Sequence, residues 1–323
     1  NNNNLLKWIN NQKKIQKIKV TKKKINSLNK WLYDGKKIYH ESNKFFKIIG
    51  VKIESNFFKK KWEQPMILQN EVGILGILKN AANNKYLLQA KLEPGNINKV
   101  QLSPTVQATK SNYLKVHKGK NIDFLKFFKK KQKNKLLQSE QAFKYYNKFN
   151  ANIINIINKP ILNKKNYKWF SLNQISFLLK KKNIINMDTL SVLSSFIKKN
   201  KIDLPKNKPK DLVKWTKEND NKFYIKYKIK DLSKLKNWKV TRDEVKNVKN
   251  NLFSIIGIDV SSNMREVKSW SQPILKGKKI SLNGFIIKKY NKTNHYLCRY
   301  NLKPGIKNSS LSCTINTTDL DNF

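Results

Sequence analysis

Apolar residues between Leu5 and Tyr33 recur at mixed three- and four-residue spacing among lysines: Leu6, Ile9, Ile15, Ile18, Ile25, Leu28 and Leu32. That spacing predicts one or two amphipathic helices over residues 5–33. Residues 45–53 alternate as a strand does. Residues 73–78 and 85–91 read as two strands joined across Ala82-Asn83-Asn84, and residues 283–297 repeat that pairing around Asn291-Lys292-Thr293-Asn294. Helices are predicted over 123–149 and 171–179, and an apolar strand over 152–161. Residues 200–210, with Pro205 and Pro209, have the composition of a linker. The lysine-rich stretch 214–251 has helical character and mirrors the N-terminal segment. Strands and helices that do not alternate in strict βαβ order define an α+β class.

The chain repeats itself. Phe46-Lys47-Ile48-Ile49-Gly50-Val51 returns as Phe253-Ser254-Ile255-Ile256-Gly257-Ile258, and Trp62-Glu63-Gln64-Pro65 as Trp270-Ser271-Gln272-Pro273. Leu92-Glu93-Pro94-Gly95 returns as Leu302-Lys303-Pro304-Gly305, and Ser103-Pro104-Thr105-Val106-Gln107 as Ser312-Cys313-Thr314-Ile315-Asn316. Gly257 lies 207 residues after Gly50 and Pro304 lies 210 after Pro94, so register is held throughout. Each copy reads as one structural module, with the expected division at 1–205 and 206–323. The first copy continues through helical-looking sequence to about Phe196. The second stops at Phe323, so it is expected to be incomplete at its C-terminal end.

Composition changes this picture little. The formal net charge is +49, which would ordinarily point to nucleic acid. Here Lys, Asn and Ile are enriched together along the whole chain, and runs such as Lys22-Lys23-Lys24 and Lys180-Lys181-Lys182 read as solvated faces. No nucleic-acid module is recognisable, so no specific nucleic-acid partner is expected, although the positive field would attract a nucleotide. Cys298 and Cys313 have no metal-ligand or redox spacing and suit a reducing cytoplasm. No stretch approaches the roughly 20 apolar residues of a membrane span, and the N-terminal Asn1-Asn2-Asn3-Asn4 carries no apolar signal core.

Several words carry a family likeness. The string Gln89-Ala90-Lys91-Leu92-Glu93-Pro94-Gly95-Asn96, the run from Val100 to Tyr113, Ser139-Glu140-Gln141-Ala142-Phe143, Trp169-Phe170-Ser171-Leu172-Asn173-Gln174, Ile185-Asn186-Met187-Asp188 and Arg265-Glu266-Val267-Lys268-Ser269-Trp270-Ser271-Gln272-Pro273 together resemble the NDP-hexose 2,3-dehydratases. The likeness runs from about Phe45 to the last residue. Departures are Lys303 where the first copy has Glu93, Cys313-Thr314-Ile315-Asn316 in place of Pro104-Thr105-Val106-Gln107, and Leu190 where the family has an arginine. The resemblance implies two tandem duplicated Nudix-like modules, a homodimer, no cofactor, and a dTDP-4-keto-6-deoxyglucose substrate that loses water across carbons 2 and 3.

Such a reaction needs a base for the carbon-3 hydrogen, which the adjacent ketone acidifies, and a donor for the departing carbon-2 hydroxyl. It also needs donors aimed at the enolate oxygen. Period-two geometry puts Gln89, Lys91 and Glu93 on one strand face beside the Pro94-Gly95 turn. Glu93 is therefore the candidate base, or a carboxylate paired with Lys91 or capping the turn. Lys91 is the candidate enolate or phosphate ligand. Tyr113 and His117 are alternative acids, against packing and surface hydrogen bonding respectively. Gln64, Gln89, Asn96, Thr105, Gln107, Asn112 and Gln272 form the polar set a sugar requires. Trp62 and Trp270 either stack on thymine or the sugar, or sit in module cores. Arg265 suits a diphosphate fork, or an intermodule ion pair with Glu266 or another acid. Three other classes compete: a non-catalytic nucleotide-sugar binder, a nucleic-acid binder, and a Nudix-like pyrophosphatase. The last needs clustered magnesium-holding glutamates, and Arg265-Glu266 stands without them.

Overall fold

The computed structural model describes residues 2–114, 116, 119–129, 135–141, 143–158, 161, 164–196, 209–250, 253–277, 281–290 and 292–317. Helix α1 (Asn2–Ile15) leads into β1 (Ile18–Lys23), β2 (Trp31–Tyr33), β3 (Lys37–His40), β4 (Lys47–Ser55) and β5 (Lys60–Leu68). Next come β6 (Gly73–Asn80), β7 (Tyr86–Leu92), β8 (Val100–Ser103), β9 (Val106–Ala108), and the short helices α2 (Lys110–Tyr113) and α3 (Lys126–Lys129). β10 (Lys135–Ser139), β11 (Tyr145–Tyr146), β12 (Phe149–Ile157), β13 (Tyr167–Phe170), α4 (Leu172–Leu179) and α5 (Met187–Ser195) complete the first half. The second half opens with α6 (Pro209–Lys222), β14 (Ile225–Lys230), β15 (Trp238–Val240), β16 (Glu244–Asn247), β17 (Phe253–Ser262) and β18 (Ser269–Gly277). It ends in six short strands between Leu282 and Thr317 that form three separate pairs. The class is mixed α+β, mostly sheet with few helices.

Three predicted helical stretches are corrected. Helix α1 stops at Ile15, and the rest of the stretch to Tyr33 is mainly β1 and β2. Here Ile18, Val20 and Thr21 are β-branched, and pairing with β17 overrides the helical spacing. Among the described residues of 123–149 only the four-residue α3 is helical, and β10 and β11 follow; β10 is recruited as an antiparallel neighbour of β12. The helix predicted from 214 ends at Lys222 and gives way to β14, β15 and β16. The linker predicted over 200–210 lies outside the described residues up to 208. Pro209 is the first residue of α6, where its missing N–H costs nothing.

From α1 to β5 the elements recur from α6 to β18 in the same order, and the two halves exchange a strand. β1 pairs antiparallel with β17, Lys23 opposite Gly257, while β14 pairs antiparallel with β4, Lys230 opposite Gly50. Both glycines are required by this approach: a Cβ on Gly50 would lie 2.6 Å from the Lys230 carbonyl oxygen, and one on Gly257 would lie 2.6 Å from that of Lys23. The exchange is fastened reciprocally. Trp31 Nε1 donates to Ser271 O at 2.8 Å and Trp238 Nε1 to Glu63 O at 2.8 Å. Lys23 pairs with Asp259 at 2.8 Å and Lys230 with Glu63 at 2.8 Å.

A seven-stranded sheet in the order β10-β12-β6-β7-β13, with β8 on β7 and β9 on β6, positions the candidate site. Tyr86, Leu88, Ala90 and Leu92 of β7 pack with Leu5, Ile9, Ile175, Leu178 and Val192 beneath α1, α4 and α5. Leu87 packs into a different cluster with Leu125 and Phe128. Alternation places Gln89 and Lys91 on the Leu87 side.

Candidate active site

Strand β7 ends in the turn Glu93-Pro94-Gly95-Asn96. Asn96 closes it, its N–H donating to Glu93 O at 3.2 Å and its Nδ2 to Lys91 O at 3.3 Å. Gly95 supplies the left-handed backbone at φ +90°. Lys91 is only 6% exposed, and its Nζ lies 3.1 Å from Glu93 Oε1. A second cation reaches the same carboxylate from the other half: Arg265 Nη1 donates to Glu93 Oε1 at 3.0 Å. Gln107 Nε2 donates to Glu93 Oε2 at 3.4 Å. Arg265 stands on the loop joining β17 to β18. Asn263 ties that loop to the junction of α1 and β1, donating to Ile15 O at 3.0 Å and accepting from Lys17 N at 2.9 Å. The guanidinium also pairs with Glu266 at 3.5 Å and lies 6.0 Å from the Trp270 ring centroid. Gln16, Gln89, Asn166, Lys91, Arg265 and Glu266 border a recess of about 10 Å³, room for about one water.

These charges set one another's titration. Burial alone would raise the Glu93 carboxyl, but Lys91 and Arg265 outweigh it and hold it at about 2. Burial lowers Lys91, opposed by Glu93. Glu266, whose burial acts upward, is drawn below its ordinary range by Arg265 and Lys91. A carboxylate bound this firmly is a weak proton acceptor and a strong anchor for two cations.

Three further groups share this electrostatic neighbourhood. Asp188 stands in the first turn of α5, whose N-cap Asn186 accepts from Thr189 N at 2.9 Å. Asn186 Nδ2 donates to Ser103 Oγ at 3.0 Å and Gln107 Oε1 at 3.4 Å, docking the start of α5 onto the residue that holds Glu93. Burial, then Glu140 and Glu93, push the Asp188 carboxyl up to about 7. The Tyr145 phenol is raised by burial and by Glu140, Asp188 and Glu93. Glu140 accepts from Asn150 Nδ2 at 2.5 Å. Glu140 and Asp188 belong to words that carried the family likeness, yet neither was singled out; their convergence with Glu93 depends on long-range pairing. Nothing in the sequence marked Tyr145.

The other sequence candidates fall elsewhere. Gln64 is buried and donates to Phe143 O at 2.6 Å while accepting from Trp62 Nε1 at 2.9 Å, so this pair supports the segment that carries Tyr145. Trp270 Nε1 donates to Gln272 Oε1 at 3.1 Å in the matching position. Thr105 is fully buried, donating to Leu87 O at 2.5 Å and accepting from Leu78 N at 2.9 Å. Asn112 and Tyr113 border a half-open cavity of about 1200 Å³ with Asp123, Phe124, Phe127 and Lys164. The Tyr113 phenol is raised by burial and by Glu71, not by Glu93. The segment leading into Asn121 of that cavity is tied to the charged group, Lys120 N donating to Glu266 O at 3.0 Å, and burial, then Asp123 and Glu266, raise the Tyr167 phenol. His117 lies outside the described residues.

The counterpart of this site in the second half has different contents. Asn56 holds its loop as Asn263 does, donating to Lys222 O at 2.8 Å and accepting from Tyr224 N at 2.7 Å. Where that loop in the second half bears Met264-Arg265, the first has Phe57-Phe58. Phe57 packs at 5.7 Å on Tyr300 and 5.2 Å on Phe223, and Phe58 at 5.6 Å on Trp62. Tyr300 donates to Asp220 Oδ1 at 2.9 Å. The turn Lys303-Pro304-Gly305 is used for packing: Phe143 N donates to Pro304 O at 2.6 Å and Asn147 N to Gly305 O at 2.5 Å.

An anchored carboxylate gathering two cations beside amide side chains and a half-open cavity is an arrangement suited to an anionic, hydroxylated ligand. The family model for NDP-hexose 2,3-dehydratase matches residues 2–196 and 209–323, and the chain belongs to that family. A dTDP-4-dehydro-6-deoxy-alpha-D-glucopyranose 2,3-dehydratase of Saccharopolyspora spinosa is 30% identical over 311 residues, covering 87% of this chain and 64% of the relative. Proteins with the same name from Amycolatopsis orientalis and Streptomyces violaceoruber are each 29% identical, covering 97% and 92% of this chain and 70% and 72% of the relatives. The chain thus spans 64% to 72% of the length of these relatives.

Proposed function

We propose that the protein eliminates water across carbons 2 and 3 of a dTDP-4-keto-6-deoxyglucose-type sugar, as a carbon–oxygen lyase of deoxysugar biosynthesis. The observation that carries the reading is the Lys91–Glu93–Arg265 group. Lys91 and Arg265 hold positive charge where the carbon-4 oxygen gains negative charge, and Glu93 fixes both cations before the substrate arrives. Gln89, Gln107 and Asn96 supply paired donors and acceptors for sugar hydroxyls. Arg265 stacked near Trp270 suits the diphosphate or base. Asn112 and Tyr113, at the end of α2, border the cavity of about 1200 Å³, which has room for a nucleoside.

In this reading the chain is a duplicated Nudix-like module in which the Glu93-bearing half is catalytic. The Phe57, Phe58, Phe223 and Tyr300 packing and the Lys303 substitution support a structural second half. Arg265 comes from the second half, so the halves act as one unit, and a homodimer in the cytoplasm is the assembly we propose. Neither cysteine is in a disulfide, and no helix among the described residues is long and apolar enough to cross a membrane. The family match over residues 2–196 and 209–323 does not favour the pyrophosphatase alternative. Mass spectrometry of the full-length protein incubated with dTDP-4-keto-6-deoxyglucose tests the reading. A product lighter by one water supports it; release of dTMP or unchanged sugar rejects it.

A further inference from the structure

The elimination proposed above requires a proton to leave carbon 3 and another to reach the hydroxyl leaving carbon 2. Glu93 is poorly suited to move either, because Lys91 at 3.1 Å, Arg265 at 3.0 Å and Gln107 at 3.4 Å stabilise its anion. Asp188 is placed differently. Its helix is docked on Gln107 through Asn186, and its carboxyl forms no hydrogen bond or ion pair among the described residues. The groups acting on it are Glu93 and Lys91 from β7 and the turn after it, and Glu140 from the segment after β10. Tyr145 of β11 shares the same field. Burial and two neighbouring carboxylates bring its titration to about 7, the range in which one group can both accept and return a proton.

Resting on that reading, we infer that Asp188 is the proton-transfer residue of the reaction. Its carboxylate takes the hydrogen from carbon 3, and the C–H electron pair becomes an enolate whose charge rests on the carbon-4 oxygen near Lys91. The ketone then re-forms, the pair moves into a carbon 2–carbon 3 double bond, and the carbon 2–oxygen bond breaks. Asp188 delivers its proton to the departing oxygen, which leaves as water. In a gluco-configured ring the carbon-3 hydrogen and the carbon-2 hydroxyl lie on the same face, so one group serves both steps and ends as it began.

The test compares full-length wild-type protein with Asp188→Asn and Asp188→Glu, using dTDP-4-keto-6-deoxyglucose in deuterated and ordinary water. Asp188→Asn is expected to lower kcat by roughly 10²–10⁴-fold with KM changed by less than about threefold. Deuterium entry at carbon 3 of recovered substrate should fall in parallel, and Asp188→Glu should restore part of both. The wild-type kcat/KM should rise with pH to a plateau through an apparent pKa near 7, and Asp188→Asn should lack that limb. Folding is checked by urea denaturation: the amide is a neutral isostere of the protonated acid, so the midpoint should not fall. If wild type dehydrates the sugar and Asp188→Asn, folded, does so at half its rate or more, or exchanges carbon 3 at the wild-type rate, this inference is overturned while the dehydratase reading stands. If wild type forms no dehydrated product, both fall.

Discussion

Glu93→Gln isolates what the anchored carboxylate does for the fold. The amide keeps the shape and can still accept from Arg265, but it leaves the Lys91 ammonium, 6% exposed, without its carboxylate at 3.1 Å. Breaking a buried ion pair from one side costs about 3–5 kcal/mol. Glu93 retains a quarter of its side-chain exposure and Arg265 keeps Glu266 at 3.5 Å, so the expected loss is about 3 kcal/mol, near the lower end of that range. In urea this is a fall in midpoint of roughly 1 M at unchanged slope. The sign with pH follows from Lys91. Its folded pKa is already depressed by burial and would drop further without Glu93, so the unfolded chain binds more protons and the deficit should shrink as pH rises toward 10. Lys91→Met combined with Glu93→Gln removes both charges and should recover about 2 kcal/mol relative to Glu93→Gln alone. A midpoint shift below about 0.3 M, or a double variant no more stable than the single, would refute the view that Glu93 holds a buried cation in place.

Other outcomes follow from the geometry. Gly95 and Gly305 have almost the same backbone, φ +90° and +94°, but a Cβ at Gly95 meets nothing within 4 Å, whereas one at Gly305 would overlap the Tyr145 carbonyl oxygen. Gly95→Ala should therefore cost about 1 kcal/mol and Gly305→Ala several times that by urea denaturation; equal costs would show that the second-half turn does not support the Tyr145 segment. Turnover should also be unchanged by exhaustive chelation, and loss of activity restored by magnesium would reject a metal-independent elimination.

Much of the site was legible in the sequence because it is local. Alternation along Gln89-Ala90-Lys91-Leu92-Glu93 placed Lys91 and Glu93 together, and the hairpin 73–91 and the helix at 171–179 carried standard signals. The repeat offsets anticipated the matching of α1 with α6 and of β4 with β17. What periodicity could not show was the strand exchange, since β1 and β14 have edge-like, lysine-rich patterns that take their partners from the opposite half. Because Asn263 anchors its loop on α1, that same exchange brings Arg265 to Glu93. Asp188 and Glu140 escaped for the same reason: each is an ordinary surface-type residue by local pattern, made distinctive only by burial beside other carboxylates. The helix predicted over 123–149 failed because Lys135–Ser139 finds an open edge on β12.

The most direct test of the account is a single kinetic comparison of wild type, Glu93→Gln and Lys303→Ala, each as the full-length protein with dTDP-4-keto-6-deoxyglucose and dehydrated product followed by mass. Among the described residues Lys303 is held through its backbone carbonyl, which accepts from the Tyr227 hydroxyl at 3.2 Å and from Ile306 N at 3.1 Å, so Lys303→Ala should turn over at nearly the wild-type rate. Glu93→Gln removes the charge that fixes the Lys91 ammonium and should lose roughly 10²-fold or more, the scale of a lost transition-state donor. The reverse ranking, with Lys303→Ala impaired and Glu93→Gln active, would contradict the account and move the chemistry to the second half.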